Sequence, residues 1–176
     1  MPIILGLLAA AAGVYFWMMR ARNAAFMAGD LADMAQDVLG AARRFGFRRR
    51  ANTHPVDSLD DPNLATAALG IGFLELGGLP RAEQLDALTR SLQLNLAQSQ
   101  NQAKEAMILG RWLIGECGGP QPGIDRLARR LWKLDAMAGF QPLMAVLKDI
   151  AAAGDSAISP RQKEALDGIA KVFRVT

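Results

Sequence analysis

Cysteine and histidine each occur once in the 176 residues, as Cys117 and His54. A single cysteine excludes an intramolecular disulfide and is compatible with a reducing compartment. One of each also excludes the His/Cys spacings of a structural zinc site. Aromatic residues make up only 6% of the chain, and Val, Ile and Thr are sparse beside Ala and Leu. That balance disfavours strands and favours helices. No phosphate-binding loop, no clear carboxylate pair and no period-two alternation is present. Gly70-x-Gly72 begins a dinucleotide-like pattern, but Glu75 takes the place of the third glycine and no strand precedes it. Nucleophilic catalysis needs a nucleophile beside a positioned base. Cys117 and His54 are the only such candidates; His54 falls in a polar stretch and Cys117 reads as a small buried residue. No catalytic residue and no cofactor is expected.

Charge is scarce where apolar residues run longest. Residues 2–19 (PIILGLLAAAAGVYFWMM) carry none. As a helix these eighteen residues reach roughly 27 Å, enough for a bilayer core. Tyr15 and Trp17 sit near the end of the run, where amphipathic rings favour the membrane interface. No Lys or Arg precedes the run and no small-x-small site follows it, which argues against a cleaved signal peptide. The expectation is a transmembrane anchor over residues 1–19. Ala9 and Gly13 form a small-xxx-small pair of the kind that supports helix dimerisation, hence a homodimer.

The positive charge is local. Arg20, Arg22, Arg43, Arg44, Arg48, Arg49 and Arg50 lie after the run, with three aspartates among them. They account for seven of 20 basic and three of 17 acidic residues, leaving 13 against 14 elsewhere. Cations on one side of an apolar span place that side in the cytoplasm, so the N-terminus is expected outside. The same cluster suits anionic lipid head groups. A short, tethered basic stretch backed by a neutral domain excludes nucleic acid as the expected partner.

Residues 20–61 read as a basic juxtamembrane helix, with Leu31, Met34, Val38, Ala42 and Phe45 at spacings of three and four, followed by a polar linker near His54 and Pro55. Residues 62–176 read as about six helices. Asp61-Pro62 starts the first, which is apolar almost all round and so expected at the centre. Ser99 with Gln102, and Ser159 with Gln162, are capping-box pairs. Arg126, Arg129, Arg130 and Lys133 form a basic row that reads as a solvated helix face. The whole is an all-α bundle behind an N-terminal transmembrane helix. A weak internal repeat places Leu85, Leu88 and Leu92 at the spacing of Leu166, Ile169 and Phe173, and suggests two related hairpins.

Residues 148–175 (KDIAAAGDSAISPRQKEALDGIAKVFRV) resemble the helix-turn-helix of TerB-like domains, named for tellurite resistance and found also in membrane-anchored DjlA-type co-chaperones. Asp155, Ile158, Ser159, Leu166 and Ile169 fit that pattern; Ser156 stands where glycine is usual, and the earlier copy over residues 73–94 lacks the aspartate. The resemblance implies a helical domain over residues 62–176 in a bacterial inner-membrane, envelope-stress setting. It implies an adaptor that recruits a protein partner. The acidic turns of the family are suspected cation sites, but only Asp155 carries over, with Glu75 close to the other turn. One carboxylate cannot build an oxygen cage, so no metal is expected and Asp155 reads as a turn residue. A metal-dependent module using Asp155 and Glu75, or a structural subunit of a membrane complex, are the competing classes.

Overall fold

The computed structural model describes residues 36–45, 47, 52–154 and 157–174. The chain divides into two compact units, Met1–Asp37 and Val38–Thr176, and all but two of the described residues belong to the second. The expected anchor, with Tyr15, Trp17, Arg20 and Arg22, lies outside the described residues, as do Arg48, Arg49, Arg50 and Asp155. Among the described residues no helix is long and apolar enough to cross a membrane.

The second unit is all-helical among its described residues. Its long helices are α1 (Pro62–Leu76), α2 (Ala82–Leu96), α3 (Gln100–Glu116), α4 (Pro120–Asp135), α5 (Phe140–Ala152) and α6 (Pro160–Phe173), with single 3-10 turns at Pro55–Ser58 and Ala136–Gly139. The caps follow the sequence chemistry. The Asp61 side chain accepts from the Asn63 N–H at 2.8 Å, and Pro62 fills the first position of α1, where its missing donor costs nothing. Ser99–Gln102 and Ser159–Gln162 close reciprocal capping boxes. At the start of α2, Gln84 Oε1 accepts from the Arg81 N–H.

Helix α1 is the hub. Every residue from 64 to 74 is buried, and the helix packs against all five others. Such all-round burial follows from a sequence without a polar face. Small residues permit close crossings: a Cβ on Gly110 of α3 would stand 2.8 Å from the Ala68 Cα. The far end of the bundle is filled by Phe173, with Trp132 at 5.5 Å edge-on and Phe140 at 5.2 Å between ring centroids. Between α2 and α5, the buried Ser91 hydroxyl donates to Asp149 Oδ2 at 2.6 Å, and Asn95 Nδ2 donates to the same oxygen at 3.1 Å.

The two triplets of the internal repeat share a burial pattern. Leu88, Leu92, Ile169 and Phe173 are core residues, while Leu85 and Leu166 pack at its edge. The hairpin expectation fails for the second copy, however. Helix α5 packs on α2 and α1, and α6 packs on α4 and α1. The seven residues between α5 and α6 are enough to send α6 across to a different neighbour.

Residues 52–61, polar enough to read as a linker, are packed instead. Val56 on the 3-10 turn and Leu59 just after it, three residues apart, are both fully buried. Two apolar anchors at that spacing hold the surrounding polar residues against the bundle as a strap.

Two glycines of α3 separate packing from propensity. Gly110→Ala drives a methyl into the α1 backbone and is expected to cost roughly 1–3 kcal/mol. Gly115→Ala meets nothing within 4 Å and is expected to stabilise by up to ~1 kcal/mol. Thermal melts of the two variants should move in opposite directions; a Gly110→Ala protein as stable as its parent would refute the close crossing.

Candidate functional site

The fold brings together the one cysteine and the one histidine. His54 Nε2 lies 4.0 Å from Cys117 Sγ across 63 residues of sequence. His54 is therefore not a solvated linker residue: it sits in the strap, over the C-terminal end of α3. The pairing does not make a base. The Val56 N–H donates to His54 Nδ1 at 3.2 Å, capping the 3-10 turn, so Nδ1 is the unprotonated nitrogen. Nε2 then carries the hydrogen and donates to the Glu116 carbonyl at 3.2 Å. No lone pair remains to take the thiol proton.

The thiol is also in the wrong place for activation. Cys117 caps the C-terminal end of α3, where the helix dipole opposes a negative charge. Burial pushes its pKa up; Arg126 opposes that, and the carboxylates of Asp57 and Glu116 add to it. The pair is a structural contact under the strap.

The basic row of α4 is what grips the strap. Arg126 forms an ion pair with Asp57, and Arg130 donates Nε to the Leu59 carbonyl at 2.7 Å and reaches Asp60 at 3.4 Å. Two of the four cations expected on a solvated face thus have structural partners. Arg126 holds the Asp57 carboxyl below its ordinary value, against the opposing effect of partial burial. The only sequence signal for this grip was the Val56/Leu59 spacing within a polar stretch.

The remaining candidates disperse. Arg43 and Arg44 are exposed on the helix spanning residues 36–44, and Arg44 pairs with Glu105. Glu75 is engaged by Arg111 at 3.2 Å. Among the described residues no group of three His, Cys, Asp or Glu side chains is placed to hold a metal ion. An open groove of about 490 Å³ between α4 and α6 is lined by Asp125, Lys163, Glu164, Asp167 and Lys171, whose opposite charges leave little preference for either sign of ligand.

One concave feature combines apolar walls with polar rims. A cleft of about 160 Å³ opens where the turn after α1 meets the turn before α6. Leu79, Ile150 and Ile158 line it with Gln84, Ser159 and Gln162. Its floor is rigid. Gln162 Oε1 accepts from the Ser159 N–H while its Nε2 donates to the Phe73 carbonyl at 2.9 Å, and Ser159 Oγ donates to the Leu76 carbonyl at 3.4 Å. The start of α6 thereby satisfies carbonyls that the end of α1 leaves open. Leu79 stands at the rim with 94% of its surface exposed.

The chain matches no family model, and no curated protein or solved structure shows significant similarity to it.

Two outcomes test these assignments. Alkylation of Cys117 by iodoacetamide should be slow at neutral pH and rise only above the range of a free thiol, and His54→Ala should fail to slow it; slowing would make His54 a base. A carboxyl held below its ordinary value of 3.8 stabilises the fold above that pH and loses the contribution as pH falls through the depressed pKa. The stability gap between the parent and Asp57→Asn, about 0.2–1 kcal/mol for so exposed a pair, should therefore be constant near neutrality and close below about pH 4 in acid-titrated denaturant melts.

Proposed function

We propose that the chain is a membrane-tethered helical binding module. In this reading residues 2–19 anchor it, Tyr15 and Trp17 sit at the interface, and Arg20, Arg22, Arg43, Arg44, Arg48, Arg49 and Arg50 keep the bundle on the cytoplasmic side of a bacterial inner membrane. The bundle recruits a protein partner, in an envelope-stress or co-chaperone-like role. The resemblance of residues 148–175 to TerB-like domains supports that setting, and the all-α bundle is compatible with it.

The observation that carries the binding reading is Leu79. Burying a leucine contributes about 1.5–3 kcal/mol, and this one is 94% exposed beside a cleft with apolar walls and a hydrogen-bonded floor. A partner side chain entering the cleft would cover both. An adaptor is favoured over an enzyme because both nitrogens of His54 are committed to backbone partners. It is favoured over a metal module because Glu75 is engaged by Arg111.

A photo-activated cross-linking residue placed at Leu79 in the full chain, in intact membranes, should give a discrete heterologous adduct. The same residue at Leu94, 83% exposed on α2, should not. Equal labelling at the two positions, or none at Leu79, would remove the cleft as the recruiting surface.

A further inference from the structure

The strap is held by a side chain whose hydrogen bonds fit only one charge state. His54 Nδ1 accepts from the Val56 N–H at 3.2 Å, and Nε2 donates to the Glu116 carbonyl at 3.2 Å. One partner is a donor and the other an acceptor, so the neutral ring with its hydrogen on Nε2 satisfies both. An imidazolium carries a hydrogen on each nitrogen and has no lone pair for the Val56 N–H. Histidine is the side chain that changes charge between about pH 5 and 8. The bond at stake caps the 3-10 turn, in which the Asp57 N–H donates to the His54 carbonyl at 2.9 Å and the Leu59 N–H to the Val56 carbonyl at 3.2 Å. That turn packs on α3 and α4 and carries Val56 into the core, with Leu59 just after it.

The charged groups near the ring come from three elements: Asp57 in the strap, Glu116 at the end of α3, and Arg126 and Lys133 on α4. Asp60 and Arg130 pair with each other further along the strap. The Cys117 thiol, 4.0 Å from Nε2, is kept protonated by burial and adds no charge. Asp57 is three residues from His54 and travels with it, so its attraction for a positive ring persists when the strap leaves. Across the docked interface Glu116 attracts such a ring, and Arg126 and Lys133 repel it. None of these groups replaces the lone pair at Nδ1, which only the docked strap requires. We infer that His54 is an acid-sensitive latch: the neutral imidazole locks the strap, and a proton at Nδ1 releases it. The latch holds where the imidazole is neutral and is lost as pH falls through the imidazole range. Release would bare Val56 and Leu59 and the parts of α3 and α4 that they cover. It would also undo the Arg130 contact with the Leu59 carbonyl, two residues before the Asp61 cap of α1. The latch is independent of the membrane anchor and of the cleft at Leu79.

Amide hydrogen exchange of the full chain in mild detergent tests the latch, measured at about pH 7.5 and about pH 5.5 on either side of the imidazole range. Each rate is divided by the chemical exchange rate at its own pH, so that only protection is compared. Asp57, held below its ordinary 3.8, stays ionised throughout and cannot supply the response. Protection over residues 54–59 should fall roughly 3- to 10-fold at the lower pH, the size of one hydrogen bond, while residues 64–74 of α1 keep theirs. His54→Asn retains an acceptor oxygen and takes up no proton, so its protection should be the same at the two pH values, whatever its level. Protection in the parent that does not change with pH would overturn the latch. So would a fall of equal size in His54→Asn, or a fall in the parent that extends equally into α1.

Discussion

Helix α1 has no polar face to give to water, and the remainder of the unit is arranged around that constraint. From residue 64 to residue 74 every position is buried, so each side of the helix needs a partner, and five helices supply them. The small residues of α1 decide how near those partners come. Ala68 lets the α3 backbone approach at Gly110, and Gly70 and Gly72 leave room for Leu88, Ile114 and Ile124 to press onto the helix. A larger side chain at any of these crossings would push a neighbour outward and open voids elsewhere, because packed interiors do not deform smoothly.

A buried helix also has ends, and its open carbonyls and amides must be met inside the protein. The C-terminal end of α1 is served by distant sequence and the N-terminal end by the adjacent Asp61. At the C-terminal end, Gln162 and Ser159 accomplish two tasks with one pair of side chains, closing their own capping box and donating to Phe73 and Leu76 carbonyls. At the N-terminal end, the strap delivers Asp61 as the cap, with Arg130 of α4 holding the Leu59 carbonyl two residues earlier. The strap and the α6 turn are therefore parts of the same solution. That accounts for why polar side chains such as His54 and Arg130 of α4 are spent on backbone groups.

What could be read from the sequence divides along this line. The starts of three of the six long helices were legible from local chemistry, Asp61-Pro62, Ser99 with Gln102 and Ser159 with Gln162, whereas α4 and α5 begin without a side-chain cap. The centrality of α1 was legible from its lack of a polar face. The strap was not, since its composition is polar on average and the two residues that dock it, Val56 and Leu59, are too few to register as a pattern. The proximity of His54 and Cys117 depends on that docking and so was hidden with it. The basic row of α4 read as solvated because its carbonyl and carboxylate partners lie some 70 residues earlier in the chain. Long-range polar pairing leaves no local periodicity to detect. The cleft at Leu79 was half legible: the Gly77-Gly78 turn could be seen, but not its meeting with the turn before α6.

The same accounting bears on function. Most of the buried polar groups that might have served chemistry are already occupied, by capping, by the strap or by the Ser91–Asp149 contact. Exposed apolar side chains remain unspent in the described unit. Single exposed leucines are ordinary on any protein, so exposure alone argues little. Context separates them. Leu94 stands near the end of α2, apart from the residues that line the cleft, whereas Leu79 borders a concavity whose floor is fixed by hydrogen bonds. A concave apolar site with a rigid floor favours one shaped partner, because little ordering is left to oppose binding. Such a site would need neither the Cys117 thiol nor the His54 imidazole, whose two nitrogens both face backbone groups.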